Sequence, residues 1–310
     1  MTAPRVGLVL GGGGLTGTAF HAGVIAGLQE LAGWDARTAD LVVGTSAGST
    51  SAALLRAGLP PTDFVARMRG APLSEPGEAI LGSVGRLRQP VRTGRPALRP
   101  SAPGLLPAVA RHPRRYRPGV LTAALLPEGT VPVDATVSGI ADLFPSWPDR
   151  PTWICTVCLE DGSRVVFGRD AATDMRHAVS ASCAIPGYFQ PVRIDGRRHV
   201  DGGMWSTNNL DLVAGAELDL VVVSAPMSTE HDGLLERAAW ARLPVRRQLD
   251  REAAEVRRSG IPVVLVQPDR ELREVMGTRT MSLSRRAPVA AATVARIDRL
   301  MAGGRLVGLV

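Results

Sequence analysis

Ala39-Asp40-Leu41-Val42-Val43-Gly44-Thr45-Ser46-Ala47-Gly48-Ser49-Thr50-Ser51-Ala52-Ala53-Leu54-Leu55 is the stretch from which the architecture can be read. Its first five residues form a short apolar run of strand type, and Ser49 to Leu55 reads as the helix leaving it. Between them Gly44-Thr45-Ser46-Ala47-Gly48 frames a serine as a hydrolase nucleophile is framed, on a tight strand-to-helix turn. Glycines are needed at 44 and 48 because side chains there would collide with the neighbouring strand and helix. The helix start directs unpaired N–H groups toward negative charge developing beside the serine. Taken alone the motif has a plain alternative, since Gly, Ser and Ala are common in tight turns.

Upstream, Arg5 to Leu10 is a buried-type strand that runs into Gly11-Gly12-Gly13-Gly14, and Gly17 to Leu31 follows with Phe20, Val24, Leu28 and Leu31 at helical spacing. Gly12-x-Gly14-x-x-Gly17 formally matches a dinucleotide fingerprint. That use also needs an acid at the end of the second strand, where this chain has Gly44-Thr45-Ser46 instead, and both Asp35 and Asp40 precede that strand. All 36 basic residues are arginine, so a phosphate-loop lysine, a Ser–Lys dyad and a Schiff-base lysine are excluded. What remains is either a tight turn or an oxyanion hole, with the backbone N–H groups of Gly12, Gly13 and Gly14 converging on a developing negative oxygen.

An activated serine needs a proton acceptor. Of the five histidines, His21, His112, His177, His199 and His231, only His231 follows a strong acidic candidate in the order Ser, Asp, His, and it sits in the polar run Ser228 to Gly233. The other candidate base is Asp201, in Asp201-Gly202-Gly203 after the strand-like His199-Val200, where small residues let a carboxylate approach another backbone. No histidines cluster with the carboxylates in metal-ligand fashion, so neither a metal nor another cofactor is expected.

The rest of the chain alternates strand and helix: a helix from Pro61 through Met68, helical Val120 to Leu126 and Val137 to Phe144, strands at Trp153 to Leu159 and Arg164 to Phe167, a helix from Ala171 to Cys183, then short strands at Val192 to Ile194 and His199-Val200. Leu218 to Val223 and Pro262 to Val266 are buried-type strands separated by a long helix, Leu234 to Arg258, and Ala287 to Met301 is helical. Such alternation implies one α/β domain over residues 1–310, with a mostly parallel central sheet and helices on both faces. Residues 70–118 read as an Arg/Pro-rich insertion without regular core elements. From Arg86 to Pro118 there are nine arginines, seven prolines and no acid, and removing those nine charges turns the net +7 of the chain into −2. This Arg86–Arg117 segment is either a solvated loop or a contact for an anionic membrane; with Tyr116 as its one aromatic it does not suit nucleic acid. Three cysteines give no disulfide framework and read as buried small apolar residues. Without a signal peptide or membrane-spanning segment, the expected location is cytoplasmic, with peripheral membrane contact.

Together these elements resemble the patatin-like phospholipases. Gly11-Gly12-Gly13-Gly14-Leu15-Thr16-Gly17 is similar to that family's oxyanion loop, Gly44-Thr45-Ser46-Ala47-Gly48 to its nucleophile elbow, and Asp201-Gly202-Gly203 to its Asp-Gly-Gly/Ala motif. Ala181-Ser182-Cys183-Ala184-Ile185-Pro186-Gly187-Tyr188-Phe189 resembles the stretch preceding the catalytic aspartate. The similarity runs in order over residues 5 to 225, apart from the insertion. It implies a three-layer α/β sandwich and a lipid acyl hydrolase in which Ser46 attacks, Asp201 is the base and the glycine loop holds the oxyanion. The resemblance departs at Thr16, where the family usually has Arg or Lys, and that departure keeps a weakly active or non-catalytic lipid-binding protein as one alternative. An ordinary Ser–His–Asp esterase using His231 is the other.

Overall fold

The computed structural model describes residues 3–84, 94, 99–133, 138–230 and 240–304. Strand β1 (Val6–Leu10) and strand β2 (Leu41–Thr45) are buried along their whole length, as expected of strands covered on both faces. They pair in parallel, Gly7 beside Leu41 and Leu10 beside Gly44. On the other side of β1 lies β7 (Leu220–Ser224), also parallel, and beyond it β8 (Val263–Val266). β2 pairs in parallel with β3 (Thr152–Cys158), and three antiparallel strands complete the sheet: β4 (Arg164–Phe167), β5 (Val192–Ile194) and β6 (Arg197–Asp201).

Successive strand residues face opposite ways, and here each face meets helices. Leu8, Leu10 and Val42 join one core with α1 (Gly14–Ala32), α2 (Ala47–Arg56), α3 (Pro61–Arg69), α7 (Met175–Ser182), α9 (Arg270–Met276) and α10 (Arg286–Ala302). Val9, Val43, Val221 and Val223 join the other with α8 (Leu243–Arg258). The result is a three-layer α/β sandwich about a mostly parallel sheet, as the alternation of elements implies.

Several boundaries differ from the sequence reading, each for a local reason. The helix expected from Ala171 starts at Met175 because Asp174 caps it, its carboxylate accepting the His177 amide at 2.8 Å. Of the helix expected over 137–144, residue 137 lies outside the described residues and the rest holds only a short 3-10 turn, Ser138–Leu143. The helix expected from Leu234 is seen from Leu243, residues 231–239 lying outside the described residues. The largest correction concerns residues 70–118, which do contain regular elements: α4 (Glu75–Val84) and α5 (Leu106–Arg111), followed by α6 (Pro118–Leu125). Pro76, Pro107 and Pro118 stand at the first or second helical position, where the missing N–H is no loss, so they start helices rather than forbid them. Ala102 and Leu105 are buried with Val120, Val157 and Val200. No helix among the described residues is long and apolar enough to cross a membrane.

Candidate active site

Ser46 lies between the end of β2 and the start of α2 with φ 54° and ψ −121°, a conformation a non-glycine residue holds only when its surroundings enforce it. Those surroundings are specific. The Ser46 amide donates to Ser182 Oγ at 2.9 Å, and Ser182 in turn donates to the Cys155 carbonyl at 2.8 Å, tying the turn to β3. Ser49 Oγ and Cys183 Sγ both donate to the Ser46 carbonyl, at 2.6 and 3.4 Å. A methyl at Gly44 would stand 2.7 Å from Ser49 Cα, and one at Gly48 would overlap the Leu10 carbonyl, so the turn closes only with glycine at both positions.

What brings Asp201 to this serine is the way β3 divides its pairing. Ile154 and Cys155 pair with Gly44 and Thr45 of β2 on one side and with β4 on the other. At Thr156 the β4 side continues to Val165, while Asp201 of β6 takes the side β2 has just left. β2 runs parallel to β3 and β6 antiparallel, so the two strands meet end to end at Thr45 and Asp201. Ser46 is 7 % exposed and Asp201 4 %. Asp201 Oδ1 accepts the Gly203 amide at 2.7 Å, and the Asp201 amide donates to the Ala184 carbonyl at 3.0 Å. Gly202 passes so close to the Cys155 carbonyl that a Cβ would overlap it. Burial raises the Asp201 carboxyl from its ordinary range to about 6, although hydrogen bonds from the Ser46 hydroxyl and the Gly203 amide favour the charged form.

The histidines take other places. His21 is fully buried in α1, its Nδ1 2.7 Å from Ser224 Oγ and its Nε2 2.7 Å from the Gly11 carbonyl, and burial lowers its pKa to about 4. It therefore acts as a neutral strut between the glycine loop and β7. His199 sits 3.2 Å from Thr156 Oγ1, His177 packs on its own helix cap, and His112 is exposed. His231 lies outside the described residues.

The glycine loop divides its amides between structure and open space. Gly11 donates to the Ser224 carbonyl at 3.0 Å and Gly12 to the Thr207 carbonyl at 2.8 Å. That corrects the expectation for Gly12: its N–H is already committed, and its part is to lie against Ser46, since a Cβ there would stand 3.4 Å from the serine Cβ. The amides of Gly13 and Gly14 find no acceptor among the described residues, and Gly14 has φ 60°. Ala47, at the start of α2, contributes another amide without an intrahelical partner. Thr16 is 1 % exposed; its amide donates to the Thr280 carbonyl at 2.9 Å and its hydroxyl reaches back to the Gly13 carbonyl at 3.5 Å. It orders the loop from behind, tying it to the 280 segment through its amide and to Gly13 through its hydroxyl.

Ser46 opens into a largely apolar cavity of about 110 Å³. Gly14 and Ala47 line it beside the serine, and Leu54, Val84, Ile140 and Phe189 supply apolar wall. Val84 ends α4, so the Arg/Pro-rich region contributes to the site. Cys183 also lines the cavity, only partly buried and with its thiol pushed up to about 11, which corrects the reading of all three cysteines as core residues. Ser182 and His21 were not picked out by motif reading. The signal for His21 is a single polar residue within the apolar run Ala19 to Leu28, one turn after Gly17; nothing in the spacing singles out Ser182. Among the described residues no group of His, Cys, Asp and Glu is placed to hold a metal ion.

The sequence profile of the patatin-like phospholipases matches residues 8–214. Among solved structures, VipD from Legionella pneumophila is similar at 13 % identity over 97 % of this chain and 67 % of its own, with a TM-score of 0.45. The type III effector protein ExoU is similar at 18 % identity over 98 % of this chain and 54 % of its own, with a TM-score of 0.38. ExoU in the ExoU–SpcU heterodimer from Pseudomonas aeruginosa gives 19 % identity over 96 % and 52 %, with a TM-score of 0.35. This chain thus spans about two thirds of the first of these proteins and about half of the other two.

Proposed function

Because the chain belongs to the patatin-like phospholipase family, we propose that it cleaves carboxylic esters of lipids with Ser46 as nucleophile and Asp201 as the base that acts on it directly. The observation that carries this reading is the end-to-end meeting of β2 and β6 on one edge of β3, where a strained serine that opens to an apolar cavity stands beside a buried carboxylate. Ser46 Oγ attacks the acyl carbonyl while Asp201 takes its proton. The amides of Gly13, Gly14 and Ala47 receive the negative oxygen of the tetrahedral intermediate. Collapse of that intermediate expels the alcohol, which leaves with the proton held by Asp201. Asp201 then draws a proton from water, and the hydroxide attacks the acyl-Ser46 ester. As the C–O bond to Ser46 breaks, the serine oxygen takes that proton back from Asp201 and the fatty acid is released.

A carboxyl raised to about 6 is ionised, yet basic enough to accept a proton, at neutral pH. A fluorophosphonate should therefore label Ser46, at a rate that rises with pH through a midpoint near 6 and is level by about pH 8. Mass spectrometry of the labelled peptide locates the adduct. No labelling of Ser46, or a rate still climbing above pH 8, would remove the direct-base mechanism.

Peripheral membrane contact is part of the same proposal. Arg111, Arg114 and Arg115 are exposed around a shallow basin with His112, while Arg86, Arg88, Arg92 and Arg95 lie outside the described residues. Leu125, Leu126 and Tyr188 are exposed large apolar side chains, and Tyr188 adjoins Phe189 of the cavity wall. Each surface arginine near an anionic bilayer contributes about 1 kcal/mol. Changing Arg111, Arg114 and Arg115 to Gln should weaken sedimentation with anionic liposomes by about 100-fold at low salt, with little binding to neutral liposomes by either protein. Equal binding by both proteins would make the segment a solvated loop.

A further inference from the structure

Two arginines line the cavity into which Ser46 opens, and they stand together. Arg67 comes from the last turn of α3 and Arg286 from the first residue of α10, 219 positions apart in the chain. Arg286 Nη2 lies 3.4 Å from the Arg67 carbonyl and its Nε 3.3 Å from Met68 Sδ. Among the described residues no carboxylate pairs with either guanidinium, whereas Arg164 pairs with Asp211, Arg198 with Glu128 and Glu160, and Arg296 with Glu230. Arg56 and Arg242 also lack a carboxylate, but backbone carbonyls take up their guanidinium N–H groups: those of Arg37, Ala39 and Pro151 for Arg56, and of Pro226 and Ser228 for Arg242. Burial lowers both pKa values, and Arg286 lowers that of Arg67 further, to about 10. Two neighbouring cations in an otherwise apolar cavity are destabilising unless something anionic joins them.

Extending the hydrolase reading proposed above, we propose that Arg67 and Arg286 form an anion subsite that receives a phosphate group carried by the ester substrate. Planar guanidinium groups suit phosphate oxygens, and a doubly charged phosphomonoester neutralises both at once. Leu54, Val84, Ile140 and Phe189 surround the acyl chain in the same cavity. The two arginines are thus specificity-determining residues: they favour acyl esters of glycerol phosphate over the corresponding neutral glycerides.

The test compares a 1-acylglycerol 3-phosphate with the monoacylglycerol of the same chain, both kept below micelle formation. The wild-type protein should prefer the phosphate ester by about tenfold or more in kcat/KM, and Arg67→Gln and Arg286→Gln should each remove most of that preference, mainly through KM. Arg67→Lys should restore part of it, since charge returns without the planar fork. Labelling of Ser46 by fluorophosphonate checks that each variant is folded. Independently of turnover, millimolar inorganic phosphate should raise the Tm of the wild type and not that of the two Gln variants. Equal use of both esters, or a preference that persists in folded Gln variants, overturns the subsite. If neither ester is hydrolysed the hydrolase reading falls, and the phosphate-dependent Tm still decides the subsite: a shift shared by wild type and variants rejects it.

Discussion

Ser46→Ala, Asp201→Asn and the double variant are expected to share one residual activity, about 10³-fold or more below wild type in kcat. Groups that act as a unit lose nearly everything when either is removed, so the two effects do not add. Asn at 201 keeps an oxygen for the Gly203 amide, now accepted at 2.7 Å, and nearly the same volume. Its effect on stability should therefore run opposite to its effect on activity. The folded-state pKa of Asp201, about 6, lies above its ordinary 3.8, so the native state holds this proton more tightly than the unfolded chain does. The stability this contributes is fully present below about pH 4 and lost as pH rises through about 6. At pH 7.5 the native state carries a buried charge that Asn removes, and the Tm of Asp201→Asn should match or exceed that of wild type. A variant equally stable and nearly inactive is the signature of a base rather than of a structural carboxylate. Retention of more than a few per cent of wild-type kcat would assign the proton transfer elsewhere, and loss of activity in His231→Ala would bring back the histidine triad.

The parts of this architecture that were legible in the sequence are those whose physics is local. Arg5 to Leu10 and Ala39 to Val43 read as strands because each carries a short apolar run ended by glycine, and the strands formed there, Val6–Leu10 and Leu41–Thr45, are buried throughout. The strained turn at Ser46 was legible for a similar reason, since only glycine at 44 and 48 permits it. The relation between Ser46 and Asp201 is different in kind. It depends on β3 exchanging β2 for β6 between Cys155 and Thr156, a pairing decision made across 155 residues of chain and written in no short motif. The same holds for Arg67 and Arg286, for the hydrogen bond from Ser46 to Ser182, and for the choice among glycine amides: Gly12 and Gly13 are equivalent in sequence, and only the position of the Thr207 carbonyl separates them. Proline misled where it was counted rather than placed, because a proline at a helix start favours the helix that the same proline would break three residues later.

That distinction between local and distant causes leads to the second large effect, on glycines that motif reading treats alike. Gly48→Ala should destabilise the protein by more than about 3 kcal/mol or prevent folding, whereas Gly17→Ala should stay within about 1 kcal/mol of wild type and on the stabilising side. At Gly48 the new methyl overlaps the carbonyl of Leu10, and Gly11 O is only 2.9 Å away. Both are backbone atoms at the end of β1, held by pairing with β2 and β7, and they cannot rotate aside as a side chain would. Relief requires α2 to lift off the sheet, taking Ser46 and the facing glycine loop with it. At Gly17 a methyl would meet Pro226 Cγ at 3.4 Å and Ala47 Cβ at 3.5 Å, which is ordinary contact, and alanine is the better helix former inside α1. Denaturant unfolding of the two variants, with fluorophosphonate labelling as the measure of a competent serine, separates them. Gly17→Ala should label at close to the wild-type rate and Gly48→Ala scarcely at all. A Gly48→Ala protein as stable and as reactive as wild type would mean that α2 does not rest on the end of β1, and the strained turn at Ser46 would lose its physical cause.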